Sequence, residues 1–170
     1  KFKFYFVVFI IPFMMGYTIA ILSHNNVVAH TFITKEWFKP FMNPKEGDIM
    51  ITAIPLYHIF ALNVNGTLMM HTGAKNVLIT NPRDMPGFIK ELKKHPFTLF
   101  TGVNTLFNGL LNQPNINEVD WSHLKGAIGG GMAVQDFVAK KWKEVTQSPL
   151  VEGYGLSETS PVVSCNPLDG

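Results

Sequence analysis

The chain closes on a run that could do chemistry, Glu152-Gly153-Tyr154-Gly155-Leu156-Ser157-Glu158-Thr159, in which a phenol, a hydroxyl and a carboxylate share glycine-rich backbone. Gly155-Leu156-Ser157-Glu158-Thr159 falls one residue short of the hydrolase elbow Gly-x-Ser-x-Gly, so serine hydrolysis is the first chemistry to weigh. The order of partners opposes it, because an α/β-hydrolase carries its catalytic histidine after the serine. All six histidines here (24, 30, 58, 71, 95 and 123) precede Ser157. They also lack paired ligand spacing, with no His-Glu-x-x-His and no Cys-x-x-Cys, which argues against zinc. Most read as surface groups. His58 differs, since it follows Pro55-Leu56-Tyr57 in an apolar loop where an imidazole needs a partner or a task.

Gly129-Gly130-Gly131 removes every side chain from its stretch, lets main chain approach a ligand closely, and offers N–H groups to anions at the start of the next helix. The dinucleotide fingerprint is half met, because its third glycine falls on Val134; a nicotinamide-dependent oxidoreductase lacks its intact loop. A Walker-type phosphate loop is absent. Spacing alone also suits plainer roles, with Tyr154 an exposed aromatic, Glu158 a solvated acid and Ser157 a helix cap.

The elements that must position these residues alternate. Ser23 is the expected cap of a helix reaching Trp37, ended by the turn around Asn43-Pro44. Strands are expected over 48–54, 76–80, 97–101, 125–128 and 150–152, and helices over 59–70 (stopped by Gly73), 84–94 (capped by Asp84), 104–111 and 134–145. Strand and helix in turn predict an α/β fold, a mostly parallel layered sheet with helices on both faces. Ligands of such sheets bind beyond the carboxyl ends of the strands. Four of the five expected strands empty there into loops rich in glycine or hydrogen-bonding groups: Pro55 to His58, Gly102-Val103-Asn104, the triple glycine, and Gly153 to Thr159.

Composition narrows the function classes. The 170 residues are 46% apolar and 15% charged, which excludes disorder. The net charge of +2 resides in Lys1 and Lys3, so a nucleic-acid partner is not expected. The lone Cys165 cannot form an internal disulfide and fits a reducing, cytoplasmic compartment. Residues 1–22 stand apart from 23–170. Phe4 to Leu22 carries no charge and is long enough to span a bilayer, and three readings stay open for it: a frame-shifted stretch, a membrane anchor, or a buried core helix.

In order, PLYHIFAL (55–62), LITNPRDMPG (78–87), TGVNTLFN (101–108), GGGM (129–132) and EGYGLSET (152–159) resemble the middle of a bacterial long-chain fatty acid CoA ligase, of the adenylate-forming superfamily. The resemblance runs from about Ala20 to Asp169 and implies that 23–170 is part of the large N-terminal, AMP-binding domain of such an enzyme. It implies ATP, Mg²⁺ and coenzyme A as cofactors or co-substrates, a long-chain fatty acid as substrate, and a cytoplasmic, membrane-associated protein. It places Gly129, Gly130, Gly131, Tyr154 and Gly155 around the adenine, with Tyr154 stacked on it. Ser157 would meet the α-phosphate, Glu158 the Mg²⁺ ion, and His58 the acyl carboxylate. His58, Ser157 and Glu158 are thus the implied catalytic set, while Leu56, Tyr57, Phe60, Gly102, Val103, Leu106 and Phe107 would line the acyl channel. One departure matters. Where the family carries a hydroxyl-rich phosphate loop ending in Lys-Gly, this chain has Phe-Val-Val-Phe-Ile-Ile-Pro-Phe-Met-Met, so the 170 residues alone are not expected to form an acyl-adenylate. The runner-up is a catalytically inactive, membrane-anchored remnant of the same fold.

Overall fold

The computed structural model describes residues 5–9, 19–43 and 47–167. A two-stranded antiparallel sheet pairs β1 (Tyr5–Phe9) with β2 (Ile19–Ser23). The remaining strands are β3 (Ile49–Thr52), β4 (Lys75–Leu78), β5 (Leu99–Gly102), β6 (Gly126–Gly130), β7 (Leu150–Gly155) and β8 (Val162–Cys165), in one sheet of order β4-β3-β5-β6-β7-β8. Every neighbouring pair is parallel except β7 and β8, which run antiparallel.

Side-chain alternation along these strands builds two cores. Ile51, Phe100, Ala127 and Leu150 face one side of the sheet, where α3 (Met85–Leu92), α4 (Asn104–Leu111) and α5 (Asp136–Thr146) pack. Met50, Leu99, Ile128 and Val151 face the other side, under α1 (His24–Phe38) and α2 (Leu68–Thr72). The first core centres on Trp142, whose ring meets Phe107 at 4.9 Å, Trp121 at 5.2 Å and Phe100 at 5.7 Å, all edge to face. At the opposite end of β3, buried Asp48 accepts from the Asn43 amide (2.7 Å), the Thr98 hydroxyl (3.0 Å) and the Lys125 ammonium (3.1 Å), fastening three segments at the amino ends of the strands.

Helix boundaries follow local chemistry. Ser23 Oγ accepts from Asn26 N (3.2 Å) while Asn26 Oδ1 accepts from Ser23 N (2.8 Å), a reciprocal cap for α1. Asp84 caps α3 by accepting from Gly87 N at 3.0 Å, and Gly73 ends α2 at φ +75°. Residues 61–67, ahead of α2, wind wider than an α-helix and bury two asparagines on opposite sides. Asn63 faces α1, where it donates to Val27 O (3.1 Å), and Asn65 faces the sheet, where it donates to Thr52 Oγ1 (2.8 Å) and Thr101 Oγ1 (2.7 Å).

Three expectations change. The strand expected over 125–128 continues as β6 through Gly130, because Gly129 and Gly130 pair with Glu152 and Gly153 in the ladder. A Cβ on Gly129 would collide with Val134, so the first two glycines serve close packing inside a strand rather than an open loop. The last expected strand likewise extends from 150–152 to Gly155, since β8, unexpected from sequence, gives it a second partner. Of the apolar run 4–22, residues 5–9 and 19–22 lie in strands, while residues 4 and 10–18, with residues 1–3, lie outside the described residues. Among the described residues, no helix is long and apolar enough to cross a membrane.

Candidate functional site

A cavity of about 340 Å³ opens where the carboxyl ends of β6 and β7 meet α1, the loop at His58 and the turn after β7. Gly131 leaves β6 at φ +79°, a left-handed conformation that favours glycine, and its bare backbone forms part of the wall. The loop it opens is pinned from two sides: Val134 N donates to Glu152 Oε1 (2.5 Å) and Gln135 N donates to Asn104 Oδ1 (2.9 Å). The Val134 and Gln135 amides, just ahead of α5, therefore already have protein acceptors. Asp136, in the first turn of α5, adds negative charge there. Glu152 and Asn104, which the sequence placed at strand ends without a role, are the supporting residues here.

Across the cavity, β7 delivers Tyr154 and Gly155 to the rim. The Tyr154 ring is 61% exposed and so presents a free face. Gly155 has no room for a side chain, because a Cβ there would strike the Pro161 carbonyl oxygen. Ser157 to Thr159 then form a single tight helical turn, closed by Leu156 N donating to Pro161 O (2.9 Å) and by the Thr159 hydroxyl donating to Leu156 O (2.9 Å). That turn sets Ser157, half-buried, and Glu158, exposed, on the cavity wall. Glu158 is the one charged side chain lining the cavity among the described residues.

His58 completes the polar set. Its Nδ1 accepts from Phe60 N at 3.2 Å, which leaves the proton of the neutral ring on Nε2 as a donor. Partial burial holds its pKa below the ordinary histidine value, so the ring is neutral at pH 7. Cys165, half-buried on the far wall, has its thiol pKa pushed up by burial and acts as a neutral packing group.

The apolar wall comes partly from elsewhere than expected. Phe60 does line the cavity, lying over Gly130 so closely that a Cβ there would meet its ring at 3.0 Å. Phe107 is wholly buried in the first core with Leu106, and the two back Gly102, where a Cβ would meet Phe107 Cζ at 2.9 Å. Val103 packs against the same core with one methyl near Gly131. Tyr57 (78% exposed) and Leu56 point to the surface, and Gly129 is sealed within β6. The wall is made instead by Trp37 and Phe38 of α1 with Val64 and Ile128. A second cavity of about 310 Å³ adjoins, sharing Trp37, Phe38, Ile128 and Cys165 with the first and extending to Pro40 and Phe41.

Thus His58, Phe60, Gly130, Gly131, Tyr154, Gly155, Ser157 and Glu158 share one cavity, while Tyr57, Gly102, Val103, Leu106, Phe107 and Gly129 lie behind or outside it. A divalent cation here would have a single carboxylate, and no cluster of three metal-capable side chains exists among the described residues. One acid suits Mg²⁺ that arrives with phosphate oxygens supplying most of its coordination.

Comparison with known proteins bears on the family and the fold. The family model described as AMP-binding enzyme matches residues 19–170. A long-chain-fatty-acid–CoA ligase of Yersinia pestis is 51% identical over 150 residues, covering 88% of this chain and 26% of that protein. The corresponding ligase of Bacillus subtilis is 34% identical over 147 residues, covering 85% of this chain and 25% of its own length. The chain thus spans about a quarter of these relatives. Among solved structures, apo MatB from Rhodopseudomonas palustris superposes with a TM-score of 0.77 at 22% identity, over 96% of this chain and 31% of that one. A long-chain-fatty-acid-CoA ligase from Archaeoglobus fulgidus gives 0.76 at 18% identity, over 95% and 33%. Fold, motif order and the match over 19–170 together establish that the chain belongs to the AMP-binding enzyme family.

Proposed function

We propose that this chain forms the adenylate-handling core of a long-chain fatty acid CoA ligase. In the reaction a carboxylate oxygen of the fatty acid attacks the α-phosphorus of ATP, the bond to pyrophosphate breaks, and an acyl-adenylate results. The sulfur of coenzyme A then attacks the acyl carbon and AMP departs. The single observation that carries this reading is that Gly131, Tyr154, Ser157, Glu158 and His58, drawn from three separate parts of the chain, converge on one cavity.

The roles are those the family resemblance implies, assigned to the residues that share the cavity. The adenine plane would lie between the bare backbone at Gly131 and the exposed face of Tyr154. The Ser157 hydroxyl donates to an α-phosphate oxygen. Glu158 would hold Mg²⁺, which when bound offsets negative charge on the phosphates. His58, neutral with its proton on Nε2, donates to the acyl carboxylate without carrying a charge that would trap it. Phe60, Trp37, Val64 and Ile128 receive the start of the acyl chain, where each buried methylene contributes about 0.8 kcal/mol. Leu106 and Phe107 act indirectly by fixing Gly102 and Val103.

Calorimetric titration with a non-hydrolysable long-chain acyl-sulfamoyl adenosine tests the reading. Saturable binding that weakens as the acyl chain is shortened is expected, and equal affinity for adenosine alone would count against it. Fatty-acid-dependent ATP–pyrophosphate exchange should be undetectable with the 170 residues alone, since no lysine or arginine lines the cavity among the described residues to meet the β- and γ-phosphates.

A further inference from the structure

His30 read from sequence as one more surface imidazole, yet it is 5% exposed, with hydrogen-bond partners at both ring nitrogens. Nδ1 lies 3.1 Å from Asn63 Oδ1 and 2.9 Å from Thr34 Oγ1. Nε2 lies 3.0 Å from the amide nitrogen of Val162 and 2.8 Å from its carbonyl oxygen. The partners decide where the proton sits. Asn63 donates through Nδ2 to Val27 O, so its Oδ1 is an acceptor; the Thr34 hydroxyl donates to His30 O at 2.8 Å, so its lone pair faces the ring. Both favour a proton on Nδ1, against the Val162 carbonyl oxygen, which at 2.8 Å favours one on Nε2, and two partners outweigh one. The neutral ring then has a lone pair at Nε2, and Val162 N–H donates into it.

Val162 begins β8, immediately after the turn that carries Ser157 and Glu158. On its β7 side that turn is closed by Leu156 N donating to Pro161 O. On the other side the tie given by hydrogen bonds is His30, and α1, which carries it, also supplies Thr34 and Trp37 to the cavity. We propose that His30 is a positioning residue, whose Nε2 clamps the Val162 amide to α1 and so fixes where Ser157 and Glu158 stand relative to the opposite wall. What the clamp serves rests on the adenylate-forming reading; that it exists does not.

Isotope-labelled protein separates the two. Long-range nitrogen–proton spectra of the wild-type imidazole should show His30 protonated at Nδ1 only. In His30→Leu, which keeps the bulk and removes the acceptor, the Val162 amide should exchange about tenfold faster, the loss of one buried hydrogen bond, while Phe100 in β5 keeps its protection. His30→Gln, whose side-chain oxygen can accept from Val162 N–H, should restore most of it. Affinity for the acyl-sulfamoyl adenosine should fall and recover in the same order. A wild-type ring protonated at Nε2, or unchanged Val162 exchange in His30→Leu, overturns the clamp. Equal loss of protection at Phe100 and Val162 overturns it in favour of plain packing. Should His30→Leu fail to fold, the wild-type ring spectrum and the Gln variant decide. Absence of analogue binding by wild type, with Val162 still responding, defeats the ligase reading and supports the clamp.

Discussion

At the scale of single residues, the site separates groups that hold the fold from groups that face the ligand, and Glu158 is the clearest of the second kind. It is exposed and sits on a turn closed by its neighbours' hydrogen bonds, so Glu158→Gln should leave stability within about 0.5 kcal/mol of wild type. The same change removes the cavity's negative charge. Nucleotide binding should therefore lose its dependence on Mg²⁺, read by titrating ATP with and without the ion; an unchanged magnesium response would remove Glu158 from the site. His58 makes a prediction in pH. Burial depresses its folded pKa, so between that value and the ordinary value of about 6.5 the unfolded chain binds more protons than the folded one. Stability should be undiminished above about pH 6.5 and fall as pH drops through the folded pKa of His58. Denaturant midpoints along this range should slope downward in wild type and flatten in His58→Gln.

Among the elements, the wide helical segment 61–67 bears the most structural consequence per residue. Asn65 joins β3 and β5 through Thr52 and Thr101, and its carbonyl accepts from Asn76 Nδ2 of β4 at 2.6 Å. Asn65→Leu would take its partner from the buried Thr101 hydroxyl, while Thr52 still donates to Asn76 Oδ1 at 2.8 Å, at about 1–3 kcal/mol for the buried group left unsatisfied. Chemical denaturation should show a loss of that order or more, and a neutral result would mean that the network re-forms around the leucine. Its neighbourhood also shows what sequence could and could not reveal. Ser23, Asp84 and Gly73 announced the ends of α1, α3 and α2 because caps and left-handed stops are local chemistry, written in one or two side chains. The extension of β6 into Gly129 and Gly130 was hidden because glycine usually marks a turn, and only the packing of Val134 and Phe60 above them explains a strand there. β8 was hidden for a related reason: four residues beside a proline give no periodicity, and the strand exists by pairing with β7. The candidate site divided in the same way. Residues fixed by a motif's own backbone, Tyr154 to Glu158 and Gly131, reached the cavity, whereas the apolar wall depends on which helix lies over which strand, and α1 rather than α4 supplies it.

For the molecule as a whole, the two cores on either face of the sheet leave a seam between α1 and the β6–β7–β8 edge, and the cavities of about 340 and 310 Å³ lie along it. Trp37 contributes to both, together with Phe38, Ile128 and Cys165. Phe38, at 4% exposed, belongs to the second core, but Trp37 is 38% exposed and is absent from either core cluster. Its indole can therefore be removed with little loss of folded packing, while the partition between cavities of about 340 and 310 Å³ is thinned. An apolar chain gains affinity with each methylene only while there is wall to cover it, at about 0.8 kcal/mol per group. In wild type the gain across a series of acyl-sulfamoyl adenosines should level off once the first cavity is filled. In Trp37→Ala short-chain analogues should bind more weakly, because part of their wall is gone, and the levelling should move to longer chains as the second cavity becomes reachable. Parallel affinity curves with the same plateau would show instead that the acyl group leaves the cavity by another side, away from α1.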